Sequence, residues 1–213
     1  MITKELIKKQ LIEIGIKQGD TLFLAADLLH VGFFILDRET TLKTWVEILK
    51  EIVGESGTLV IPAYTNYFIR YRKNESCVFH ELTPSTSGSL SVAVGSYPGA
   101  LRSKHPTNSC YAIGKHAEYI LNGHDEKSSS YLPYHRVIEL GGKHLMLGCA
   151  LNKNLSSMAL HAAQDSLGIT RRNWQYGLMQ TYFLDQNGDR KLFTRYDFGG
   201  CSSFGYKVMG HHI

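Results

Sequence analysis

Apolar residues recur along the first part of the chain with two alternating patterns. Over residues 4–17, Leu6, Ile7, Leu11, Ile14 and Ile16 stand among lysines and glutamates at mostly helical spacing, which predicts an amphipathic helix. After Gly19 and Asp20, the short apolar run from Thr21 to Ala25 predicts a buried strand. The next stripe, Leu42, Trp45, Val46, Leu49, Ile52 and Val53, returns to i, i+3, i+4, i+7 spacing, with Thr41 as the expected N-cap. Gly54 and Gly57 end that helix, and Thr58 to Ile61 predicts a second buried strand closed by Pro62. Helix, strand, helix, strand with short connections points to a mostly parallel sheet covered by helices.

Further along, residues 66–87 form a long polar and aromatic excursion, a length at which loops are often functional. Ser89 to Val94 predicts a short helix, Cys110 to Ile113 a third strand, and His116 to Leu121 another helix. Lys143 to Leu147 predicts a strand, followed by a loop and a helix over 157–167. The runs Gln180–Leu184 and Lys191–Arg195 flank Asn187-Gly188, a strong short-range hairpin signal. The expected fold class is therefore α/β: a mostly parallel central sheet flanked by helices, with an antiparallel hairpin appended near the C-terminus. No repeat, low-complexity tract or Pro/Ser-rich linker divides residues 1–213, so a single domain is expected.

Composition narrows the function classes. The 213 residues include no run of about 18 apolar positions, so no membrane span is expected. The first residues lack an apolar signal core, which makes the cytoplasm the expected location. Cys77, Cys110, Cys149 and Cys201 fit no zinc spacing and read as reduced thiols. The net charge of +4 is dispersed, and the Arg70–Lys73 cluster reads as a solvated loop rather than a nucleic-acid interface. A mildly basic surface suits an anionic small ligand such as a nucleotide cofactor.

Several catalytic templates are absent: G-x-S-x-G, a P-loop, G-x-G-x-x-G and H-E-x-x-H. One segment carries more. A strand ends at Gly148, a polar loop reaches Ser156 and Ser157, and His161 then falls in the first turns of the following helix. Ligands of open α/β sheets gather beyond the carboxyl ends of strands. The positive end of a helix dipole keeps an imidazole neutral, as a general base requires. Spacing alone equally fits a histidine packed between Leu160 and the sheet, and His161 is one of ten histidines.

A set of strings then occurs in order: Gly19 to Leu24, Gly57 to Thr65, Pro98 to Pro106 with Ser109 and Gly114, Gly142 to Gly148, and Leu160-His161-Ala162-Ala163. In these the chain resembles the aminoglycoside 3-N-acetyltransferase family, the antibiotic N-acetyltransferase fold, from about residue 4 to about 198. The resemblance implies direct transfer of an acetyl group from acetyl-CoA to a primary amine, with no metal and with His161 as base. It implies Asp197 as the acid supporting that base, and Tyr64, Thr65, Arg102, Ser103, Lys104, His105 and Ser109 on the CoA side. Backbone N–H groups near Ser156–Ser157, or the Tyr64–Thr65 turn, are the expected oxyanion donors. The chain departs from the family's pattern at several points. Gln164 stands where a glutamate commonly follows, no acid follows Thr65 closely, and Ala25-Ala26-Asp27 replaces His-Ser-Ser.

Net positive charge favours a neutral or anionic amine as acceptor, since polycations gain from an acidic cleft. Two other readings stay open: a CoA- or sugar-binding relative that has lost catalysis, and a thioester hydrolase. A homodimer also stays open, with a neighbouring subunit closing a site left short by the ending Gly210-His211-His212-Ile213.

Overall fold

The computed structural model describes residues 2–31, 37–67, 69, 77–149, 158–168 and 178–196. Helix α1 (Lys4–Glu13) is capped by the Thr3 hydroxyl, which accepts the Leu6 N–H. Strand β1 (Thr21–Ala26) leads through a short 3₁₀ turn to α2 (Arg38–Val53). The cap of α2 is Asp37 and not Thr41: the Asp37 carboxylate accepts the Thr40 N–H, so the helix starts a turn earlier than its apolar stripe. Strand β2 (Thr58–Pro62) follows.

Among its described residues, the 66–87 excursion contributes one short strand, β3 (Val78–Phe79), before helix α3 (Ser89–Gly95). Next come β4 (Leu101–Arg102), β5 (Cys110–Gly114), α4 (Ala117–Leu121) and α5 (Leu132–Glu139). Strand β6 (Lys143–Leu147), α6 (Met158–Ser166) and the hairpin β7 (Leu178–Leu184) and β8 (Arg190–Tyr196) complete the described elements.

The central sheet runs β4-β5-β2-β1-β6. Its middle is parallel, β1 pairing with both β2 and β6, while β5 is antiparallel to β2 and to β4. The hairpin does not extend this sheet. It forms a second, three-stranded sheet in which β3 lies parallel to β7.

Strand alternation divides the core. Leu22, Leu24, Leu59, Ile61 and Ile113 face α1, α2 and α3 in one cluster with Trp45, Leu49, Leu90 and Val94. Phe23, Val60, Cys110 and Ala112 face α4, α5 and α6 in another, with Ile120, Tyr131, Tyr134, Val137, Met158 and Ala162. Among the described residues, no helix is long and apolar enough to cross a membrane.

Candidate active site

The parallel strands β1, β2 and β6 bring their carboxyl ends to one rim of the sheet, where open α/β folds place ligands. Two of these ends meet closely. Gly148, just past β6, has φ +68°, and a Cβ there would stand 2.2 Å from the carbonyl oxygen of Asp27 at the end of β1. At that end the Asp27 carboxylate bonds His30 Nδ1 at 2.8 Å.

Helix α6 carries His161 over the ring-bearing face of the sheet. The imidazole is stacked on Tyr131, with centroids 5.0 Å apart and planes 7° from parallel. Tyr134 tilts against the same imidazole at 6.2 Å and meets Phe23 of β1 edge-on at 4.6 Å. The Tyr134 hydroxyl forms a short hydrogen bond with that of Tyr64, which follows the end of β2. Burial first, and then the neighbouring Tyr64, push the Tyr134 hydroxyl well above the usual phenol range, so it stays protonated at neutral pH.

One turn beyond His161, Asp165 accepts from Ser129 Oγ at 2.5 Å and bonds His135 Nε2 at 2.9 Å. Sequence patterning missed Tyr131, Tyr134, His135 and Asp165. The four-residue step from His161 to Asp165 puts both on one helical face and was the available signal. The helix bearing Tyr134 and His135 had a weaker signal, Pro133 in its first turn and an apolar pair at Leu132 and Val137.

Residues 26–205 match the model of the aminoglycoside 3-N-acetyltransferase family. The chain belongs to that family. It is similar to aminoglycoside N(3)-acetyltransferase III of Salmonella sp, with 30% identity over 218 residues, covering 94% of this chain and 73% of the relative. Two solved structures share the fold. Aminoglycoside acetyltransferase AAC(3)-IIb superposes with TM-score 0.74 at 23% identity, over 99% of this chain and 86% of that one. AAC-IIIb, solved as a binary complex with CoASH, does so with TM-score 0.69 at 20% identity, over 99% and 84%.

Within the strings that carry the family resemblance, most of the residues expected on the CoA side have internal partners. The Arg102 guanidinium donates to the carbonyls of Ala63 at 2.8 Å, Glu81 at 3.0 Å and Thr83, and to Ser109 Oγ at 3.3 Å. It also lies against the rings of Phe79 and Tyr111. Its desolvation lowers its pKa from the usual guanidinium value, and the carbonyl cradle is what allows it to be buried. Ser109 Oγ donates to Ala63 O at 2.7 Å. Ser103 Oγ accepts the Cys110 N–H at 2.9 Å and bonds His124 Nδ1 at 2.9 Å. His105 is fully buried and stacked on His124 at 4.8 Å.

Lys104 differs from these neighbours: its ammonium is exposed and pairs with Glu81 at 3.0 Å. Thr65 is buried, and the Tyr64 N–H donates to Ser87 Oγ at 2.7 Å, which fixes the turn after β2. Asp197, Ser156 and Ser157 lie outside the described residues.

Proposed function

We propose that the chain transfers the acetyl group of acetyl-CoA directly to a primary amine of an amino sugar, with His161 as general base. The observation that carries this reading is the His161 imidazole itself. It packs against Tyr131 and Tyr134, whose hydroxyl meets Tyr64 just past the end of β2, in a chain of the aminoglycoside 3-N-acetyltransferase family.

The reaction needs one base and no enzyme nucleophile. The amine lone pair attacks the thioester carbonyl, the C–N bond forms, and His161 takes the amine proton. The C–S bond then breaks, and the CoA thiolate recovers that proton from the imidazolium. Other side chains nearby suit the base role less well. Tyr134 holds its proton far above neutral pH. Burial pushes the Cys110 thiol up to about 12, and burial raises the Cys149 thiol as well, so neither supplies a thiolate for an acyl-enzyme. For the oxyanion we assign the backbone N–H of Thr65, since the Tyr64 N–H is taken by Ser87. For the CoA phosphates we assign Lys104, whose charge faces solvent.

The acceptor class has two versions. Relatives named for aminoglycosides favour a polycationic amino sugar. The net charge of +4 favours a neutral or anionic one. A free-thiol release assay with acetyl-CoA across a panel of kanamycin-type drugs and neutral and anionic amino sugars separates them. Release that requires an amine is expected, with His161→Ala lowering kcat by roughly 10²–10⁴. Release without amine marks a thioesterase, and CoA binding with no release marks a binding protein. Wild-type kcat/KM in His161→Ala removes His161 from the base role.

A further inference from the structure

The base proposed above sits in a closed circuit of contacts. His161 and Asp165 are four residues apart on α6 and share a face of that helix. Asp165 Oδ2 accepts the Ser129 hydroxyl at 2.5 Å. The same hydroxyl oxygen accepts the Tyr131 N–H at 3.1 Å. The Tyr131 ring, buried to 5% exposure, then lies flat on the His161 imidazole at 5.0 Å. Starting from α6, the path thus runs through a carboxylate, a hydroxyl and a backbone amide, and returns to α6 through two stacked rings. Each polar step has the right sense: the hydroxyl donates to a carboxylate and accepts from an amide.

Two further contacts hold the segment Ser129–Tyr131 from its other sides. His135 Nε2 of α5 bonds the same Asp165 oxygen at 2.9 Å. Ser130 Oγ meets His105 Nε2 at 3.3 Å, and His105 Nδ1 accepts the N–H groups of Asn108 at 3.1 Å and Thr107 at 3.3 Å. With Nδ1 accepting, the His105 proton is on Nε2 and points to Ser130. The buried histidine of the Arg102–His105 string therefore braces the strip that carries Tyr131.

We propose that Asp165, Ser129 and Tyr131 are positioning residues for His161, the carboxylate and hydroxyl holding the Tyr131 ring flat against the imidazole. The proposal rests on reading His161 as the base. An aromatic face restricts rotation of the imidazole. It also attracts the imidazolium more than the neutral ring, so the contact strengthens as the proton is taken. This role falls to a ring in a chain where Gln164 stands in place of the family's common glutamate.

The test joins steady-state kinetics to NMR of ¹³C-histidine-labelled protein. In the wild type, one histidine ring C–H resonance is displaced upfield by the Tyr131 ring current, and it is assigned by its absence from His161→Ala. Ser129→Ala is expected to lower kcat by roughly threefold to thirtyfold with both KM values unchanged, and to return that resonance downfield. Ser129→Thr, which keeps the hydroxyl, restores both. Tyr131→Leu reproduces the Ser129→Ala result and Tyr131→Phe does not, a pair that serves if Ser129→Ala folds poorly. Wild-type kcat and an unmoved resonance in Ser129→Ala and Tyr131→Leu overturn the proposal, as does a rise in KM alone. If His161→Ala is inactive while these variants are not, only the positioning role fails. If His161→Ala keeps full activity, the base assignment fails first.

Discussion

The two faces of the central sheet are built from alternate residues of the same strands, yet they do different work. Under α1, α2 and α3 the sheet presents Leu22, Leu24, Leu59, Ile61 and Ile113, which pack mostly against aliphatic side chains and Trp45, with Tyr97 and Tyr111 at the margin. Under α4, α5 and α6 it presents Phe23, Val60, Cys110 and Ala112, and the smaller strand residues leave room for Tyr131 and Tyr134. The second face thus buries rings with polar tips, whose hydroxyls and neighbours must be satisfied by one another. One face supplies stability with little chemistry. The other gives up packing uniformity to hold an imidazole, phenols and a carboxylate near a strand rim.

That contrast can be broken first on the aliphatic face. Leu22 is fully buried, and Leu22→Ala should cost about 2–5 kcal/mol of unfolding free energy in urea while leaving kcat per folded molecule unchanged. A matched fall in kcat would mean that the two faces are not separable.

The rim comes next. Gly148→Ala meets both a positive φ and the Asp27 carbonyl, so it should destabilise by upwards of about 1–2 kcal/mol and also lower kcat, because the ends of β1 and β6 must part. On the ring-bearing face, Tyr134→Phe removes the hydrogen bond to Tyr64 and should cost about 1 kcal/mol. In the wild type, this phenol is protonated in the fold at pH values where the unfolded chain, at its ordinary value of 10.0, has begun to ionise. Stability therefore falls as pH rises past 10, and Tyr134→Phe should flatten that alkaline limb in chemical-denaturation curves.

The smallest effect belongs to His144 of β6, which meets Phe23 edge-on at 5.6 Å and whose Nε2 is buried without a hydrogen-bond partner. Burial lowers its pKa below the ordinary 6.5, so below pH 6.5 the unfolded chain binds the extra proton. Stability contributed by neutral His144 is present above 6.5 and is lost as pH falls toward the folded value. Melting temperatures of His144→Leu should gain on the wild type below that pH, and a gap independent of pH would contradict this account.

Much of the frame was legible in the residues. The apolar stripe of α2, the runs of β1, β2 and β6, and the Asn187-Gly188 hairpin follow from periods of two and 3.6 and from turn chemistry, all of which act within a few residues. His161 was legible as a candidate base only through the strings around it, since one histidine on a helix face has no local signature of a base. Arg102, Ser103, His105 and Ser109 were legible as a conspicuous string, but not as residues whose polar atoms turn inward to Ala63, Glu81, His124 and Ser130.

By itself, then, the sequence determined the order of the longer elements apart from α5, the parallel middle of the sheet, the family and a candidate histidine to test. Only the tertiary structure decided that β5 runs antiparallel, that β3 joins the hairpin in a second sheet, and that Asp165 reaches Ser129 across 36 positions of chain. The physical reason is range. Side-chain periodicity follows from backbone geometry over one or two turns. The meeting of a carboxylate, a hydroxyl and two rings depends on how α5 and α6 settle onto the same face of the sheet, and no short window of residues encodes that.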